Sequence, residues 1–118
     1  MPREISVSEF RKALETIGKP RGRQLKFLRA HANATGRAMN MASIARSAGY
    51  RDFRGGNIQY GLLGARIGAA LGRKDQRISL LVEFVAPKGR SRDHISNDEW
   101  ILVMRPNFAK ALELEGWI

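Results

Sequence analysis

Ala42-Ser-Ile-Ala-Arg-Ser-Ala-Gly-Tyr-Arg-Asp-Phe-Arg-Gly-Gly-Asn-Ile-Gln-Tyr-Gly-Leu-Leu-Gly-Ala-Arg-Ile-Gly-Ala-Ala-Leu71 runs in the order short helix, glycine stop, polar turn, longer helix. That order is a helix-turn-helix pattern. Asn40 is placed to cap the first helix, Ile44, Ala45 and Ala48 share one apolar face, and Gly49 stands where a left-handed residue ends a helix. A polar, basic turn follows from Tyr50 to Gly56. The second helix is predicted from about Gly56 or Asn57 to Leu71, with Ile58, Leu62, Ala65 and Ala69 turned inward at i, i+4, i+7 and i+11.

The outward residues near the start of that second helix are Asn57, Gln59 and Tyr60, with Arg51 and Arg54 in the turn before it. Amide and guanidinium groups at the N-terminus of such a helix can read base edges in a DNA major groove. Arg51, Arg54, Asn57 and Gln59 are therefore the expected base-reading set, with Tyr60 a further expected DNA contact.

The rest of the composition agrees with a polyanionic partner. Lysine and arginine number 21 against 11 acids in 118 residues, a net charge of +10, and the isoelectric point is near 11.1. The excess is uneven: residues 1–60 carry +8, 61–90 carry +4 and 91–118 carry −2. The C-terminal end is thus not the expected binding face. One domain spanning 1–118 is expected, long enough to bury roughly two-thirds of its unfolded surface. Cysteine is absent and the two histidines are separated by 62 intervening residues, which excludes disulfides and argues against a metal site. No apolar run approaches the ~20 residues that span a bilayer, and the start lacks a signal-peptide pattern, so the expectation is a cytoplasmic protein without a membrane partner.

Ahead of the quoted stretch, Ser6-Val-Ser-Glu9 has capping-box spacing and Phe10, Leu14 and Ile17 follow at i, i+4 and i+7, predicting a helix over Val7 to Ile17. A second helix is predicted from about Gly22 to Thr35, with Leu25, Leu28 and Ala32 inward and Arg23, Lys26, Arg29 and Arg37 outward or flanking. Behind the stretch, Gly72 to Gln76 is turn material and Ile78 to Ala86 reads as a strand that Pro87 halts. Trp100 to Arg105 is its expected antiparallel partner. The connection Pro87 to Asn97 is a polar tip carrying Lys88, Arg90 and Arg92, which suit DNA phosphates. A short final helix is predicted over about 107–115, with Phe108, Ala111 and Leu112 inward and Trp117 and Ile118 packed down.

Helix, helix, helix, recognition helix and β-hairpin, over roughly residues 22–105, resemble a winged helix-turn-helix domain. The fold this implies is α+β, mainly helical with a two-stranded antiparallel hairpin, the helix-turn-helix at about 40–72 and the wing at about 78–105. More narrowly, Ala45-x-x-Ala48-Gly-Tyr50, then Asn57-x-Gln-Tyr-Gly61, then a Glu-Trp…Met-Arg-Pro segment, is similar to recognition domains accompanying HNH-type nucleases in modification-dependent restriction proteins. That likeness implies recognition of modified or unusual DNA. No nuclease domain is visible in this chain.

Gly61, Gly64 and Gly68 form a stripe that admits either another helix or a sugar-phosphate strand. Gly55-Gly56 can serve helix packing or offer backbone N–H groups to a phosphate. Tyr50, Phe53 and Tyr60, interleaved with arginines, can pack the turn or stack on bases. His94 and the acids near it are too few for metal-assisted hydrolysis, and nothing offers a nucleophile with its base or a cofactor fingerprint. The expected function is therefore duplex DNA binding without catalysis, metal or cofactor, in regulation or in phage and host defence, as a monomer or a homodimer. The alternative is an inhibitor or accessory protein that docks on a nuclease or another nucleic-acid-processing protein.

Overall fold

A computed structural model describes residues 4–73 and 75–118; Lys74, inside the expected turn 72–76, lies outside the described residues. The elements follow as α1 (Val7–Ile17), α2 (Arg23–Asn33), β1 (Ala38–Asn40), α3 (Met41–Ser47), α4 (Phe53–Ala70), β2 (Val82–Val85), β3 (Ile101–Met104) and α5 (Pro106–Leu114). The class is α+β, as expected.

α1 begins where its capping box places it. The Glu9 N–H donates to Ser6 Oγ and the Ser6 N–H to Glu9 Oε1, each at 3.1 Å, so two of the helix's orphan donors are satisfied by one side-chain exchange. Its face of Phe10, Ala13 and Leu14 is buried against α5, where the Phe10 and Phe108 rings lie 5.3 Å apart. α2 is shorter than predicted, because Gly22 at φ +67° precedes it and Ala34 is already extended. Its buried face is Phe27, Leu28 and His31, with Leu25 and Ala32 only half-buried beside it. α3 is capped by Asn40, whose Oδ1 accepts from the Ser43 N–H at 2.8 Å, and it ends at Gly49 with φ +82°.

The sheet has three strands rather than two, in the order β1-β3-β2, all antiparallel. β3 is central: Leu102 faces Met39 on one side and Phe84 on the other. Ala38-Met-Asn40 holds no β-branched or aromatic residue, so its strand state comes from pairing with β3 and not from local preference. The expected strand from Ile78 to Ala86 is confined to Val82–Val85. Ile78–Leu80 is instead a 3₁₀ turn, closed by the Leu81 N–H on the Ile78 carbonyl at 2.8 Å.

That turn is pinned against α4. A Cβ added to Gly64 would lie 2.6 Å from the Arg77 carbonyl carbon and 2.7 Å from the Ile78 nitrogen, and one on Gly68 would lie 2.8 Å from the Gln76 oxygen. The small-residue stripe thus admits the chain's own connection to the sheet. Among the described residues no helix is long and apolar enough to cross a membrane.

Candidate nucleic-acid interface

The turn between α3 and α4 is shorter than the sequence suggests, because Asp52 caps α4 and starts it at Phe53. The Asp52 carboxylate accepts the Arg54 N–H at 2.9 Å. It thereby occupies the positive end of the helix that a phosphate would need. Gly55 and Gly56 lie inside the helix and serve packing: a Cβ on Gly56 would sit 2.8 Å from Ala45 Cβ, and one on Gly55 2.9 Å from the Tyr50 ring. Two glycines bring α4 onto α3 and the turn at close range. Of the two readings open for Gly55-Gly56, the packing one describes their place in the structure.

The buried side of α4 is Gly56, Tyr60, Leu63, Gly64, Ile67 and Gly68. This is a correction to the predicted face. Ile58 is 59 % exposed and Leu62 44 % exposed, so neither joins Ile44 between the two helices. The period was right and the phase was half a turn out. Glycines that admit close backbone contact carry no hydrophobic signal, whereas Ile58, Leu62, Ala65 and Ala69 carry one and face away from the core.

Tyr60 is the second correction. It is fully buried, stacked at 4.7 Å on Phe27, and its hydroxyl lies 2.9 Å from His31 Nδ1. His31 Nε2 is 2.8 Å from the Leu102 carbonyl, an oxygen that can only accept. The ring is therefore protonated on Nε2, and Nδ1 accepts the Tyr60 O–H. Burial pushes the Tyr60 phenol well above its ordinary range and lowers the His31 pKa, keeping both neutral. The network joins α2, α4 and β3 and takes Tyr60 out of any base-contacting role. His31 was missed because a lone histidine in a basic helix gives no spacing signal.

The remaining candidates on α4 separate into two groups. Arg51, Arg54 and Asn57 are exposed, and Arg54 and Asn57 share one face a turn apart. Arg54 Nε lies 3.8 Å from Asp52 Oδ2 in an open ion pair worth little. Gln59 turns toward α2, half-buried, and its Oε1 accepts from Gln24 Nε2 at 3.2 Å. Arg66, also exposed on α4, donates to the Ile17 carbonyl at 3.0 Å.

The loop between β2 and β3 holds the three other candidates, and it has more internal order than its polar composition suggests. Lys88 is exposed. Arg90 donates to the Glu99 carboxylate and, at 2.7 Å, to the His94 carbonyl, so its guanidinium ties the loop to itself. Ser96 donates its N–H and Oγ–H to Glu99 Oε1 at 3.2 and 2.6 Å. These bonds, and then Arg90, hold the Glu99 carboxyl below its usual range. Arg92 is exposed, and its guanidinium carbon lies 5.1 Å over the Trp100 ring. A second such pair, Arg23 over Tyr50 at 5.0 Å, places a cation of α2 beside the turn before α4. Neither stack is legible from spacing, since Arg92 and Trp100 are joined only by the loop's fold.

Among the described residues no three His, Asp or Glu side chains gather into a metal-ligating group. Comparison with protein-family models, curated proteins and solved structures returns no match.

Proposed function

We propose that this chain binds duplex DNA in the manner of a winged helix-turn-helix protein, with the start of α4 in the major groove and the β2–β3 loop on the backbone. One observation carries the reading. α4 exposes Arg54 and Asn57 in its first two turns, is held at close range on a capped partner helix, and contains no acidic residue from Phe53 to Ala70. The third strand adds support, because β1 between α2 and α3 anchors the hairpin strand β3 on its other edge and gives the loop a fixed base. In this reading Arg51, Arg54 and Asn57 meet base edges, Gln59 stands at the margin, and Lys88 and Arg92 meet phosphates. Arg90 shapes the loop, and Tyr60 supports the helix from within.

A fluorescent duplex of about two helical turns, titrated at rising salt, tests it. Affinity should fall with salt at a slope of about −0.9 per phosphate neutralised, and Lys88→Ala or Arg92→Ala should each reduce that slope by about 1. Asn57→Ala should cost about 1 to 3 kcal/mol on a preferred sequence and nothing on random duplex. A missing or salt-independent complex would remove the reading and leave docking on another protein in its place.

A further inference from the structure

One outward line of α4 is apolar. Ile58, Leu62, Ala65 and Ala69 fall at i, i+4, i+7 and i+11, opposite the buried Tyr60, Leu63 and Ile67, and nothing in the fold covers the first two. Such a stripe on an exposed helix marks a contact surface. Its flanks decide which kind. Arg54 and Arg66 border it: Arg54 meets only the open Asp52 pair at its own end, Arg66 a backbone carbonyl of α1, and no acidic residue lies between them on the helix. A second copy packed antiparallel would set Ile58 against Ala69, yet it would also bring four arginines against only the two Asp52 caps, between two chains of charge +10 each. Charge complementarity therefore favours a polyanion that itself carries small apolar groups.

Resting on the DNA reading above, we infer that this stripe contacts the C5-methyl groups of pyrimidines in the major groove, with Ile58 and Leu62 as the contacting side chains. The groove has phosphates along both walls, and its floor offers one apolar group, the thymine methyl. Arg66 suits a wall, and Ile58 joins Arg54 on the floor. The alanines at 65 and 69 keep the helix slim where a groove about 12 Å wide must admit it.

Anisotropy on four duplexes of equal length separates the outcomes: alternating dA·dT, the same with deoxyuridine for thymidine, alternating dG·dC, and the same with 5-methyldeoxycytidine. The methylated member of each pair should bind more tightly, roughly fourfold for each methyl withdrawn from water. Ile58→Ala combined with Leu62→Ala should bind both members of each pair alike while melting close to the parent, because neither side chain has a place in the core. Equal, salt-dependent binding of all four by the parent protein would overturn the methyl contact and leave the DNA reading standing. Salt-dependent binding of none would remove both. A dimer in sedimentation that Ile58→Ala dissolves would assign the stripe to a second copy and overturn the inference.

Discussion

The Tyr60 hydroxyl donates to His31 Nδ1 inside the core, so the histidine is held neutral by burial as well as by its two hydrogen bonds. Its folded pKa lies below the ordinary 6.5 of the unfolded chain. Between those two values the unfolded state binds the extra proton, so this contribution to stability is complete above about pH 6.5 and declines as the solution is acidified toward the folded pKa. Urea midpoints across that range should show the decline, and His31→Gln should flatten it. Tyr60→Phe leaves Nδ1 buried without its donor and should cost about 1 to 3 kcal/mol at neutral pH. Two glycines of α4 give an opposed pair. Gly64→Ala presses a methyl into the backbone of Arg77 and Ile78, which cannot yield cheaply, and should destabilise by about 1 to 3 kcal/mol. Gly61→Ala meets only the end of the Arg77 side chain at 3.4 Å, so the gain in helix propensity, up to about 1 kcal/mol, should prevail. Thermal melts in which both variants shift the same way would contradict this packing.

At the scale of elements, what the sequence discloses depends on where its signals are local. Ser6 and Glu9, Asn40, Gly49 and Pro106 act within a few residues of themselves, and α1, α3 and the start of α5 are readable from them. β1 and the 3₁₀ turn at Ile78 are imposed by distant chain, and nothing near them says so. α4 was readable as a helix but not in its orientation, since its inner face is made of glycines and a tyrosine while its outer face holds isoleucine and leucine. The candidate site follows the same division. Arg54 and Asn57 keep the roles their positions suggest as proposals, whereas the fates of Tyr60, Gln59 and Arg90 are set by Gln24, His31 and Glu99, far off in sequence or across a loop. The loop provides a check at this scale. Arg90→Ala should speed amide exchange across residues 90–99 while changing global stability by no more than about 1 kcal/mol, the range of an exposed pair. Lys88→Ala should leave exchange there unaltered.

Across the whole molecule, charge is distributed unevenly along the chain. Residues 1–90 hold the cationic excess, while the acidic tail end closes the domain: Glu115 pairs with Arg11 at 2.8 Å, the Trp117 carbonyl accepts from Arg29 at 3.0 Å, and the Trp117 side chain is buried. Deleting Trp117 and Ile118 should therefore lower the melting temperature even though neither stands on the proposed DNA surface, the loss of a buried tryptophan being worth about 3 to 5 kcal/mol. Asn40 has a related consequence for anyone wishing to transplant the part proposed to read DNA. It is the last residue of β1, opposite Ile101, and in the same position it caps α3 through Ser43. Strand end and helix start are one residue, so the two helices have no seam at which they detach from the sheet. A fragment beginning at Met41 would expose an edge of β3 and lose its cap together, and grafting α3 and α4 onto a foreign scaffold would have to carry three distant stretches of this chain along with them.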